Sequence, residues 1–151
     1  GIPLPFAYFQ FNNTSIRRST IESIGLFDEE FLTYGGEDTD LAIRIWNKYS
    51  SGFRYLPTAV SFHYHPRKFK EFCESMYQYG KINFHKLIKK HPQCFKELGG
   101  EYIYSLKGKV IFNGFIRRIV KGVNTIFENY LCQRYLVVDS VMQGVRNAER
   151  G

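Results

Sequence analysis

The sequence predicts an α/β domain followed by a helical extension. Three observations carry this. Up to residue 66, short runs rich in Phe, Tyr and Val alternate with amphipathic helical patterns. From residue 67 onward the apolar residues recur at three- and four-residue steps and the strand-like runs stop. With 151 residues, 44% hydrophobic and 23% charged, the chain is long and apolar enough to bury a core and is neither disordered nor fibrous. The expected division is therefore 1–66 and 67–151.

The elements follow in order. Residues 6–16 read as a strand, with Phe9, Phe11 and Asn13 alternating against Tyr8 and Gln10 until the turn formers at 12–15 interrupt it. Ser19, with Glu22 three residues on, has capping-box spacing for a short helix bearing Ile21 and Ile24. Gly25 is placed to stop that helix in the left-handed conformation. A helix over 38–49 presents Leu41, Ile45 and Tyr49 on one face, widened by Ala42 and Trp46, and Asp40 can pair with Arg44 along it. Phe53–Leu56 and Ala59–His65 read as strands closed by Pro57 and Pro66. A long helix over 68–90 carries Phe69, Phe72, Cys73, Met76 and Tyr79, with Gly80 either kinking or dividing it and His91-Pro92 as its end. After a break at Gly99-Gly100, residues 102–147 predict one or two further helices, although Gly108, Gly114 and Gly122 weaken the pattern.

Charge and cysteine usage narrow the function classes. Twenty-one basic against 14 acidic residues give +7 and a pI near 9.3, a balance that favours phosphate-bearing partners. The acids cluster between Asp28 and Asp40, and the bases gather at 68–70, 86–90, 107–109 and 117–121. Three widely spaced cysteines argue against a disulfide framework and point to a reducing, cytoplasmic compartment. No run reaches the ~18 apolar residues that span a bilayer. The chain starts at Gly1 with neither an initiator Met nor a signal pattern, as expected of a processed terminus or a piece of a longer chain. Nucleic acid is not expected as a partner, because no recognition motif accompanies the charge.

Three segments could carry chemistry. Gly35-Gly36-Glu37-Asp38-Thr39-Asp40 places three carboxylates at a helix start behind two glycines. Backbone N–H groups and the helix dipole favour negative charge there, and a carboxylate so held can take a proton from a substrate hydroxyl. An ordinary acidic first turn would look the same. His63-Tyr64-His65-Pro66 puts two imidazoles on one face of a strand end, where they could share a metal ion or sit as surface residues. Asn13-Thr14-Ser15-Ile16-Arg17-Arg18 leads from a polar strand end into two arginines suited to diphosphate contact, or simply exposed.

The order of these segments, with Gly25-Leu26-Phe27-Asp28-Glu29-Glu30-Phe31 and Gly35 to Arg44 as the most specific part, resembles the acceptor-side, C-terminal half of the catalytic domain of family 2 glycosyltransferases, which have the GT-A (nucleotide-diphospho-sugar transferase) fold. The match covers residues 8–66. The resemblance implies an inverting transfer of a sugar from a nucleotide-sugar donor to a hydroxyl of a glycan or lipid-linked acceptor. Asp38 would be the general base. Glu37, Gly36 and Gly35 would bind the acceptor, and Arg17 and Arg18 would line the donor-diphosphate cleft. A divalent cation, Mn²⁺ or Mg²⁺, would balance the diphosphate, with His63 as the better-placed ligand and His65 as the alternative. The family's upstream nucleotide-binding strands and Asp-x-Asp motif have no counterpart here, so the chain alone is expected to be inactive.

Two readings apply to the basic helical part. Arg117, Arg118 and Lys121 among apolar residues fit an amphipathic helix lying on the anionic inner face of a membrane. Alternatively Val110, Phe112, Phe115, Ile119 and Val123 pack on the domain or on a partner; apolar residues on more than one face favour packing. The rival to an enzyme is a non-catalytic module using this basic surface for anionic lipid, glycan or a protein partner. Self-association through an uncovered apolar edge is also expected of a half-domain.

Overall fold

The computed structural model describes residues 1–50, 52–62, 64 and 66–150. The chain divides into two compact units, Gly1–Pro66 and Arg67–Gly151. Among the described residues there is one sheet, a two-stranded antiparallel ribbon of β1 (Ile2–Pro3) and β2 (Arg54–Tyr55), with Ile2 opposite Tyr55 and Pro3 opposite Arg54. The remaining elements are helical, so the α/β expectation is met by this ribbon alone.

In the first unit the expected strand over 6–16 is absent. Pro5 opens a 3-10 turn at Phe6–Tyr8, and a second turn follows at Phe11–Asn13. The aromatic residues that suggested a strand pack in a ring cluster instead, by T-shaped, tilted and stacked contacts. Phe27, Phe11, Phe9, Phe53 and Trp46 form a continuous ring chain with successive centroids 4.7, 5.0, 4.9 and 5.9 Å apart. Each such pair adds about 1 kcal/mol beyond its buried area, which rewards a coiled backbone over a paired one. Residues 59–62 and 64 are likewise not strand; the rest of that expected strand, His63 and His65, lies outside the described residues.

Helix α1 (Arg18–Ile24) starts one residue before the predicted cap. Arg17 is its N-cap, and Glu22 pairs with Arg18 at 2.7 Å rather than closing a capping box with Ser19. Gly25 ends it at φ 86°, ψ 155°, a region open essentially to glycine alone and distinct from the expected left-handed helical one. Helix α2 (Glu37–Lys48) buries Asp40, Leu41, Ala42, Ile43 and Ile45 and supplies the core of this unit with Phe6. The two helices are tied through the open C-terminal carbonyls of α1. Lys48 donates to Ser23 O, and Arg44 donates to the carbonyls of Ile24, Gly25 and Leu26. Arg44 also pairs with Asp40, which is 1% exposed.

The second unit is helical throughout. The long predicted helix is α3 (Phe69–Gln78) and α4 (Phe84–Lys90), joined by a π turn at Tyr79–Asn83. Gly80 therefore widens the helix rather than breaking it. The segment 102–147 is neither one helix nor two. It forms α6 (Leu106–Ile111), α7 (Gly114–Phe127) and α8 (Tyr130–Ala148), after a short α5 (Gly100–Tyr104). Asn113 and Asn129 start new helices, their side chains accepting the first amides of α7 and α8. Helix α8 packs against α3 and the π turn, where two glycines permit close approach. A Cβ on Gly80 would lie 2.3 Å from Val141 O, and one on Gly144 2.1 Å from Tyr77 O. Phe84, Leu87, Met142 and Val145 fill the core beside them. Buried Asp139 is held by Arg117, at 2.5 and 3.1 Å, and by Gln143.

Of the five apolar residues expected to pack on the domain or on a partner, only one packs within the chain. Phe112 is buried, but Val110, Phe115, Ile119 and Val123 are exposed. A 14-residue helix touching α8 along one side has more apolar surface than that contact covers. No helix among the described residues is long and apolar enough to cross a membrane.

Candidate functional site

The site is built on the start of α2. Gly35 and Gly36 both have positive φ, 82° and 102°, and Gly36 is the left-handed N-cap residue. Side chains with a Cβ adopt this geometry twice in succession only at a steric cost, so the glycine pair is what turns the chain sharply into the helix. No side chain caps α2, which leaves its N-terminal dipole to the three acids of the first turn. Asp40 points inward to Arg44 and is structural.

Glu37 and Asp38 have different surroundings. Asp38 Oδ2 accepts the backbone N–H of Phe11 at 3.2 Å, which ties the carboxylate to the start of the second 3-10 turn. Glu37 Oε2 is buried and has no hydrogen-bond partner among the described residues. A buried acceptor oxygen left unpaired is costly, and a hydroxyl donor arriving from a ligand would satisfy it.

The segment that holds Asp38 also forms one wall of a cleft of about 720 Å³. Tyr8, Asn12, Asn13, Arg17, Arg54 and Tyr55 are among its lining residues. Aromatic faces, amides and two guanidinium groups make a surface suited to sugars and anionic groups. Asn13 also donates to Ala59 O at 2.9 Å, which fixes that wall. Of the two predicted arginines, Arg17 lines the cleft. Arg18 is outside its lining and engaged with Glu22. Arg54 and Tyr55 went unnoticed in the sequence; their signal was an Arg-Tyr pair on a short exposed strand. The Phe11 amide carries no side-chain signal at all.

His63 and His65, the expected metal ligands, lie outside the described residues. Among the described residues no group of three His, Cys, Asp or Glu side chains could hold a metal ion. No fit to a divalent cation is therefore established here, and no chemical step is assigned to one.

Comparison with known proteins bears on this unit. Residues 2–68 match the family model for the N-terminal domain of galactosyltransferase. The uncharacterized glycosyltransferase YfnE of Bacillus subtilis is 39% identical over 71 residues, 46% of this chain and 18% of that protein. The chondroitin synthase of Pasteurella multocida is 34% identical over 62 residues, 41% of this chain and 6% of its own length. The probable glycosyltransferase YdaM of Bacillus subtilis is 31% identical over 94 residues, 62% of this chain and 21% of its own length. The chain thus spans between 6% and 21% of these relatives. No solved structure matches it significantly. The similarity is to glycosyltransferases, and the family-model match includes both the Gly35–Asp40 turn and the cleft.

Proposed function

We propose that residues 1–66 are the acceptor-side part of a GT-A, family 2 glycosyltransferase site, and that the reaction is sugar transfer from a nucleotide-sugar to an acceptor hydroxyl. One observation supports this most: Glu37 and Asp38 stand together on the glycine turn, one with a buried unpaired oxygen and the other held by a backbone amide. In this reading the acceptor hydroxyl donates to Glu37 Oε2 or to Asp38. Asp38 takes the hydroxyl proton as the oxygen attacks the anomeric carbon, the bond from that carbon to the diphosphate oxygen breaks, and the nucleoside diphosphate leaves with the electron pair. In-line attack inverts the anomeric centre. Gly35 and Gly36 let the acceptor approach the backbone, and Arg17 offsets charge on the leaving group. Arg18, a divalent cation and its ligand at His63 or His65 belong to the same proposal. So does a cytoplasmic location, which the three unpaired cysteines support.

The test is an assay of the native gene product against a panel of nucleotide-sugars with glycan and lipid-linked acceptors. Release of nucleoside diphosphate that depends on acceptor, with inverted product stereochemistry, is the expected result. Donor hydrolysis or transfer with no dependence on acceptor, or no turnover with any donor, would overturn the reading.

A further inference from the structure

The second unit holds a cavity of about 250 Å³ where the end of α6, the start of α7 and the end of α8 meet. Arg117 of α7 lines it. So do Gln143, Arg146 and Asn147 from the end of α8 and Arg150 just beyond it. The charge there is not balanced. Arg117 is paired with Asp139 through Nε and Nη2, which leaves its Nη1 without a hydrogen bond among the described residues. Arg146 donates from Nη1 to Phe112 O at 2.5 Å and from Nη2 to Gly108 O at 3.1 Å. Both acceptors are neutral carbonyls, so they fix the guanidinium against the end of α6 without neutralising it. Its Nε is buried and has no hydrogen-bond partner among the described residues. Arg150 is exposed, and its side chain has no carboxylate partner among the described residues. Three guanidinium groups are thus set against the one carboxylate of Asp139, an excess of two positive charges. Glu149, the nearest acid in sequence, sits by Tyr104 instead.

We propose that this cavity binds a small soluble phosphomonoester. Such a group carries a charge of about −1.5 to −2 at pH 7 and three acceptor oxygens, which matches the excess charge and the open donors of Arg117, Arg146 and Arg150. The planar guanidinium fork suits phosphate oxygens better than a point charge does. An oxygen at Arg146 Nε gives that buried donor the acceptor it lacks. Because two carbonyls already hold Arg146, little of its side-chain freedom is lost on binding. The cavity is smaller than the roughly 300–1,000 Å³ of sites for drug-sized ligands, so it suits a phosphate with few carbon atoms attached. A monocarboxylate brings one charge and two oxygens and leaves part of the excess unmet. The inference is independent of the sugar-transfer reading, since it uses none of residues 1–66.

The experiment is isothermal titration calorimetry of the full 151-residue chain with glycerol 3-phosphate, inorganic phosphate and, for comparison, acetate. Saturable one-site binding of both phosphates is expected, with acetate about tenfold weaker or more. Arg150→Ala should weaken glycerol 3-phosphate about fivefold or more. Arg146→Lys keeps the charge but removes Nε and the fork, and should weaken it about tenfold, with a melt at 222 nm to check the fold. Arg118→Ala, on an exposed residue of α7 outside the cavity lining, should leave the affinity unchanged. No saturation below about 10 mM phosphate overturns the proposal, as does acetate binding as tightly as phosphate. Affinity unchanged in both Arg146→Lys and Arg150→Ala overturns it too. So does an equal loss in Arg118→Ala and Arg150→Ala, because binding would then follow net charge and not this cavity.

Discussion

Asp40 and Asp38 sit two positions apart on one helical turn and have opposite fates. Asp40 is 1% exposed and bound to Arg44, whose remaining donors hold three carbonyls at and just after the end of α1. Removing the guanidinium takes the charge partner from a buried carboxylate and leaves α1 tied to α2 mainly through Lys48 and Ser23 O. Arg44→Ala should therefore cost about 3 kcal/mol, read as a lowered urea midpoint at unchanged m. Asp40–Arg44 pairing was legible from spacing alone, whereas the three carbonyl contacts were not, since they depend on where Gly25 turns the chain. Cys73 gives a second residue-scale expectation. Burial pushes its thiol above the usual range, outweighing the Ser140 hydrogen bond and the Lys121 charge that lower it, while Asp139 adds to the rise. Fewer thiolates are present at neutral pH, so iodoacetamide should label Cys73 more slowly in the folded chain than in urea, and the rate should climb as pH rises.

At the scale of elements, the helices were easier to read than the strands. The start of α2 and the end at His91-Pro92 follow from glycine and proline chemistry that acts locally. The strand expected at 6–16 failed because alternating aromatic residues also suit a ring cluster, and nothing local says which long-range partner is present. Asn113 and Asn129 could have been read as caps dividing the last segment; the steady apolar period across them hid the breaks. Gly144 shows the same limit. Its role lies in the approach of α8 to Tyr77 and Gly80, a contact between distant parts of the chain. Because a methyl group there would meet backbone that cannot turn away, Gly144→Ala should destabilise the helical unit by about 2–3 kcal/mol. A thermal melt followed at 222 nm checks this, and an unchanged midpoint would show that the helices can separate at little cost.

For the whole molecule, the division at Pro66–Arg67 separates the carboxylate turn and cleft from the basic helical bundle. Each unit has its own core, Leu41, Ile43 and Ile45 in one and Phe84, Leu87, Met142 and Val145 in the other. Residues 67–151 expressed alone should accordingly give a helical circular dichroism spectrum and a cooperative melt; an unfolded product would show that the bundle depends on the first unit. The acidic turn was legible because its chemistry is contiguous in sequence. The cleft was not, because Arg17 and Arg54 come from opposite ends of the unit. Sugar transfer through Asp38 is the central claim, and the Asp38→Asn variant of the native gene product tests it most directly. Asn still offers an oxygen to the Phe11 amide, so fold and donor KM should be kept. The rate of acceptor-dependent nucleoside diphosphate release should fall about 100-fold or more. A variant that turns over at the wild-type rate would contradict the account.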